Sequence, residues 1–137
     1  MASTILPDAD ATIAFGREFG ATLCNGDVIA ITGELGAGKT HFVKGLVASL
    51  GGDLAVTSPT FTLVHEYDCD RWPLFHFDFY RLESADEVRD IGFDDYLEGG
   101  GIMAIEWADK FPELFPDDTR WVHFRHRPDG AREVEFT

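Results

Sequence analysis

The run Gly33-Glu34-Leu35-Gly36-Ala37-Gly38-Lys39-Thr40 meets the pattern G-x-x-x-x-G-K-[ST] at every specified position. Its flanks restrict the fold further. Asp27-Val28-Ile29-Ala30-Ile31-Thr32 is a short, β-branched and apolar run that predicts a buried strand. Phe42, Val43, Leu46, Val47 and Leu50 then form a helical stripe that stops at Gly51-Gly52. Strand, glycine turn and helix in that order belong to an α/β architecture with the strand inside the sheet.

The chemistry follows from the backbone. Glycines let the chain curl so that successive N–H groups point at one anion. A helix starting near Lys39 adds its unpaired N–H groups and the positive end of its dipole. Lys39 is placed to reach the β- and γ-phosphates of a nucleotide, and the Thr40 hydroxyl to ligate Mg²⁺. The residues of the loop, Gly33, Glu34, Leu35, Gly36, Ala37, Gly38, Lys39 and Thr40, are therefore the expected nucleotide-binding set. A glycine turn that binds nothing would need neither the strand before it nor the helix after it.

The remaining chain sets bounds. With 137 residues, a single domain over residues 1–137 is expected, large enough for one core. No apolar run approaches a membrane span, and Met1 to Asp10 lacks a basic stretch followed by an apolar one, so a cytoplasmic chain without membrane contact is expected. Cys24 and Cys69 have neither disulfide-framework nor zinc spacing and read as reduced bystanders. The formal net charge is −14, and between Glu66 and Asp118 sixteen acids face four bases. A surface of that sign repels nucleic acid. It is either a solubilising face or a docking face for a basic protein partner.

Taken in order, Ser3 to Pro7 reads as a loose or short extended leader. A helix capped by Asp8 or Asp10 carries Ala11, Phe15, Phe19 and Leu23, and Asn25-Gly26 ends it. After the loop helix, Ser58-Pro59-Thr60 is a turn, and two strands over 61–67 and 73–80 pair as a hairpin. Ser84 with Glu87 is a capping box opening a helix that stops near Gly92, with a further helical turn over 93–97. Ile102 to Glu106 is a buried parallel strand with a carboxylate at its C-terminal end. A weak amphipathic stretch covers 108–115. Trp121 to Arg125 and Glu133 to Phe136 close the chain as a hairpin around Pro128-Asp129-Gly130.

Hydrolysis needs more than a phosphate loop. It needs carboxylates for Mg²⁺ or its waters, and a group to place the nucleophile. Glu106 is the best placed, because ligands of open α/β sheets sit at the carboxyl ends of strands; an exposed strand-end acid is the alternative. Asp78 is the second. His76, Asp78 and Tyr80 are expected on one face of their strand and Phe75, Phe77 and Phe79 on the other. On pattern alone that polar face is either a magnesium site or a solvated surface. Thr60 is a candidate switch hydroxyl for Mg²⁺ or the γ-phosphate, although such a segment taken alone is more often a plain turn.

The set GELGAGKT, SPTFTLVHEY, HFDFYRL, IGFDDY and IEW, in this order and spacing, resembles the TsaE (YjeE) family. These are small bacterial P-loop ATPases required for threonylcarbamoyladenosine modification of tRNA position 37. The resemblance covers residues 8 to about 110. It implies the P-loop NTPase fold, a three-layer α/β arrangement with a central, mostly parallel sheet, flanking helices and β-hairpins. The family's loop lysine and threonine fall on Lys39 and Thr40, its HxDxYR aspartate on Asp78, and its strand-end acid and following tryptophan on Glu106 and Trp107. Its switch-like threonine falls on Thr60. Lys39, Asp78 and Glu106 are thereby the implied catalytic residues, Thr40, Asp78 and Glu106 the implied metal ligands, and Thr60 and Trp107 further nucleotide contacts. Glu34 stands where aspartate is frequent, Phe79 where leucine is, and Asp109-Lys110 where Pro-Glu often follows; none removes a catalytic group. The resemblance also implies ATP and Mg²⁺ as cofactors and TsaD and TsaB as partners, with tRNA reached only through that complex.

Two other readings stay open at this point. A small-metabolite kinase also uses a compact phosphate-loop domain, with Arg120 to Arg132 as a conceivable lid, although their alternation favours a hairpin. A nucleotide-responsive binding module without useful turnover is the third. Arg81 fits a surface ion pair better than a role at the γ-phosphate.

Overall fold

The computed structural model describes residues 2–34, 36–52, 56 and 63–137. Its centre is a seven-stranded sheet in the order β1-β7-β6-β2-β5-β4-β3. The strands are β1 (Ala2–Leu6), β2 (Val28–Thr32), β3 (Val64–Tyr67), β4 (Leu74–Asp78), β5 (Ile102–Glu106), β6 (Arg120–His126) and β7 (Arg132–Phe136). The helices are α1 (Ala9–Gly20), α2 (Lys39–Ser49), α3 (Ala85–Asp90) and α4 (Phe93–Glu98), followed by 3₁₀ turns at Ala108–Lys110 and Pro112–Leu114.

Parallel pairing is confined to the central strands, where β2 lies between β5 and β6 and β5 also pairs with β4. The outer pairings, β1 with β7, β6 with β7 and β3 with β4, are antiparallel. The sheet is thus mixed rather than mostly parallel. The two hairpins account for most of this, since a short turn can only return its strand antiparallel. The Ser3 to Pro7 leader accounts for the rest: it is a true edge strand on β7.

Alternation along β2 and β5 divides the core into two layers. Ile29, Ile31, Ile102 and Ala104 face α1 and α2, with Phe15, Phe19, Phe42 and Leu46. Val28, Ala30, Met103 and Ile105 face the other side, with Phe77, Phe79, Val88 and Phe93. Strands covered on both faces are why β2 and β5 read as unbroken apolar runs. Each fully buried aliphatic or aromatic side chain contributes about 1.5–3 kcal/mol.

Glycine sets the approach of α1 to α2. A methyl group on Gly16 would run into the Phe42 carbonyl, and one on Gly45 into the Ile13 carbonyl, so both collisions are with backbone. Gly45→Ala is expected to cost about 1–3 kcal/mol by overpacking, read as a lower urea midpoint at unchanged slope. An unchanged midpoint would mean the helices lie farther apart than described.

Local signals act as the sequence predicts, with adjustments. Asp8 caps α1 by accepting from the Ala11 amide at 2.8 Å. That helix ends at Gly20 rather than Leu23, and Asn25 is used elsewhere: its Oδ1 accepts from the Gly101 amide at 2.6 Å. Ser84 accepts from the Glu87 amide at 3.3 Å, while the Glu87 carboxylate reaches one residue past the cap to the Glu83 amide. Strand β4 stops at Asp78, whose Oδ1 accepts from the Tyr80 amide at 2.9 Å and turns the chain. Tyr80 therefore leaves the His76–Asp78 face and packs instead on Trp107, with ring centroids 4.9 Å apart. The turn at Ser58-Pro59-Thr60 and the start of the 61–67 strand lie outside the described residues. No helix among the described residues is long and apolar enough to cross a membrane.

Candidate functional site

The parallel strands β2, β5 and β4 are neighbours, and their C-terminal ends are level. Ile31 is in register with Glu106, and Glu106 with Asp78. The glycine loop leaves from the end of β2, so loop and carboxylates are brought to one edge by topology alone. His76, Asp78 and Glu106 project to the α2 side, where α2 begins at Lys39.

The loop is held from several directions. Gly33 has φ 142°, and a Cβ there would come within 2.8 Å of the Phe124 carbonyl oxygen, so only glycine fits between β2 and β6. Gly38 caps α2 at φ 102° with no side-chain partner, which leaves the first-turn N–H groups of α2 available to an anion. From the far hairpin, Arg132 donates to the Gly36 carbonyl at 2.9 Å and to the Gly130 carbonyl at 2.8 Å.

Lys39 is 4% exposed. Its ammonium donates to the Gly33 carbonyl and, at 2.9 Å, to the Glu34 carbonyl, and lies 4.2 Å from the centroid of the Trp107 ring. Burial lowers its pKa below the usual lysine range, with the charges of Glu106, Asp78, Asp109 and Glu34 acting in the opposite sense. Glu106 and Asp78 are 4% and 3% exposed. Glu106 Oε2 is 2.6 Å from His76 Nε2 and 3.4 Å from the Thr40 hydroxyl. Trp107 itself adopts the left-handed region at φ 59°, which swings its ring back over Lys39.

These groups open on a cleft of about 460 Å³ lined by the loop from Gly36, by Thr40, Asp78, Glu106 and Trp107, and on the opposite wall by Asp8, Thr12 and Arg132. Such a volume lies within the usual range of small-ligand sites. The expected residues Gly36, Ala37, Gly38, Lys39, Thr40, Asp78, Glu106 and Trp107 thus meet at one place, with Gly33 and Glu34 behind the loop as acceptors for Lys39. Leu35 and Thr60 lie outside the described residues. Among the described residues no three His, Cys, Asp or Glu side chains cluster as a self-sufficient metal cage. What is present is an oxygen set of one hydroxyl and two carboxylates. That set suits Mg²⁺, which takes one or two protein carboxylates and keeps waters and phosphate oxygens for its other positions.

Four contributors were not legible beforehand. Arg132 reaches the loop only because β1 and β6 hold β7 against α1, a tertiary fact with no local signature. Asp8 and Thr12 line the cleft from the start of α1, a placement set by how α1 packs on α2. His76 was visible on the Asp78 face, but its contact with Glu106 depends on the β4–β5 register.

The chain is similar to known proteins over most of its length. The family model described as threonylcarbamoyl adenosine biosynthesis protein TsaE matches residues 6–134. A relative from Nostoc is 40% identical over 141 residues, covering 100% of this chain and 86% of its own length. One from Treponema pallidum is 40% identical over 126 residues, covering 92% and 93%. One from Bacillus subtilis is 43% identical over 112 residues, covering 82% and 70%. All three are named tRNA threonylcarbamoyladenosine biosynthesis protein TsaE. The crystal structure of Bacillus subtilis YdiB superposes with a TM-score of 0.80 at 31% identity, over 98% of this chain and 83% of that one. With its family model spanning almost the whole sequence, this chain belongs to the TsaE family of threonylcarbamoyl adenosine biosynthesis proteins.

Proposed function

We propose that this chain has the P-loop NTPase fold and is an Mg²⁺-dependent ATPase. In that role it supports threonylcarbamoyl transfer to adenosine 37 of tRNA by a TsaD/TsaB complex. One observation carries the hydrolytic part: the loop residues Lys39 and Thr40 share a cleft with two buried carboxylates, Asp78 and Glu106, at the level ends of adjacent strands. A loop that only bound phosphate would have no use for buried acids facing it, since they repel the anion unless a cation stands between.

The roles divide by position. Loop amides and the α2 N-terminus bind the phosphates, and Lys39 turns from its carbonyl partners to the β- and γ-oxygens. Thr40, Asp78 and Glu106 would hold a Mg²⁺ ion, which when bound would supply positive charge against the phosphates. The two carboxylates also order the attacking water. Trp107 covers the Lys39 side and limits water there, and Asp8, Thr12 and Arg132 face the nucleoside end.

Most of the arginines of the candidate kinase lid are engaged within the hairpin or at its base, and Arg132, which does reach the cleft, is bonded to the Gly36 carbonyl of the loop. Arg125 pairs with Glu135, and Arg127 lies 3.4 Å from Asp129 and 3.9 Å from Glu133, all within the β6–β7 hairpin. The acidic run through α3 and α4 supports docking on a more basic protein, while a chain at −14 is a poor tRNA binder on its own.

Phosphate release from ATP, measured with and without a TsaD/TsaB pair, tests the proposal. A slow rate that rises with the pair is expected, and the rise should weaken with salt. Phosphotransfer to a metabolite would overturn the reading. No release even with the pair present would reduce the chain to a binding module.

A further inference from the structure

The geometry points to His76 as the residue that positions Glu106, an inference that rests on the proposed Mg-ATP site. His76 is fully buried at 0% exposure on β4, two positions before Asp78. Its same-face neighbours Leu74, Ile102 and Ala104 are apolar, Asp78 follows on the same face, His65 of β3 lies opposite it in register, and the Tyr67 ring lies tilted at 6.5 Å. His65 meets the Tyr67 hydroxyl at 3.2 Å, and no hydrogen bond among the described residues joins it to His76. The His76 Nδ1 is buried with no hydrogen-bond partner among the described residues. A buried polar atom left unpaired is a cost to folding, so the ring is kept for what Nε2 does.

Nε2 lies 2.6 Å from Glu106 Oε2, and with the proton on that nitrogen it donates to the carboxylate. The Thr40 hydroxyl approaches the same oxygen at 3.4 Å, whereas no hydrogen bond among the described residues engages Oε1. A carboxylate gripped through one oxygen cannot rotate, which leaves the other fixed in orientation for a metal-bound or attacking water. Partners that orient a ligating group in this way control its geometry without touching the reacting atoms. His76 is thus a positioning residue, acting through Glu106.

Glutamine and asparagine at position 76 separate this role from simple packing. The Gln amide extends to where Nε2 sits and can still donate to Glu106; the Asn amide ends near Nδ1 and cannot. His76→Asn is expected to lower kcat about tenfold or more while Mg²⁺-free ATP affinity stays within about twofold, and His76→Gln to recover most of the rate. Melting curves establish that both variants fold.

Equal losses in the two folded variants, no loss in either, or a loss of Mg²⁺-free affinity matching the loss of rate would each overturn the assignment. Failure of both to melt cooperatively would also overturn it, by making His76 a residue of the fold. Should the unmodified chain bind ATP without hydrolysing it, the ATPase reading falls. His76 is then judged on the Mg²⁺-dependent gain in ATP affinity, where the same Asn-below-Gln order is expected. Absence of any such gain in the unmodified chain would remove both.

Discussion

Lys39→Ala is expected to abolish measurable phosphate release while leaving the fold intact. The buried ammonium lines the cleft between the loop and the carboxylates, with Arg132 across on the other wall. Removing a preorganised charge that meets a developing phosphate charge costs about 10²–10³ in rate, or about 2.7–4 kcal/mol. If the rate is slow, as proposed, the variant would then fall below detection. Nucleotide binding should weaken less, because the loop amides and the α2 N-terminus remain. Stability moves little, for two opposing reasons. Burial lowers the Lys39 pKa, so the folded chain holds that proton less tightly than the unfolded one, and the charged lysine is a net cost to folding. Alanine removes this cost but strips the Gly33 and Glu34 carbonyls of their donor. Phosphate release together with thermal melting checks both halves. Retained hydrolysis in a folded variant would remove Lys39 from the mechanism.

How much of this was legible in the sequence depends on the range of the interaction responsible. The strand–loop–helix unit from Val28 to Ser49 was readable because each part carries a local signal: β-branched apolar run, glycines, helical stripe. Glu106 was readable for a related reason. An apolar strand ending in an acid reports burial on both faces and a carboxylate at the edge, and both are found. The first hairpin was legible through β-branched and aromatic composition and the closing one through alternation, but the sheet that joins them was not. Whether β7 receives β1 on its free edge is decided by partners more than a hundred residues apart, and with that pairing comes Arg132 on the loop. Tyr80 failed more instructively. Alternation placed it with His76 and Asp78, yet the Asp78 carboxylate caps its own turn and ends the strand two residues early. Asp is prone to such local capture of the backbone, so the residue that makes the site also breaks the pattern used to find it.

Glu106 supports two separable predictions, because its carboxylate faces both the cleft and the interior. Toward the cleft the proposed mechanism gives it the metal's waters and the attacking water, so Glu106→Ala should reduce turnover far more than nucleotide affinity. A loss of about 10²-fold or more in rate is expected, against a few-fold in ATP binding, the pattern of an interaction made chiefly in the transition state. Equal losses in rate and affinity would instead assign Glu106 to holding the metal alone. Toward the interior, the same truncation leaves His76 Nε2 buried without its acceptor beside an Nδ1 that already lacks a partner. Stranding that donor should cost about 1–3 kcal/mol of stability. Glu106→Gln separates the two effects. Its amide oxygen still accepts from His76, so the urea midpoint should stay close to that of the unmodified chain. Without the negative charge, however, the amide cannot do the carboxylate's work at the metal, and turnover should fall nearly as far as in the alanine variant. A glutamine variant as unstable as the alanine one would mean that His76 and Glu106 are held as an ion pair, with the charge rather than the hydrogen bond stabilising the fold.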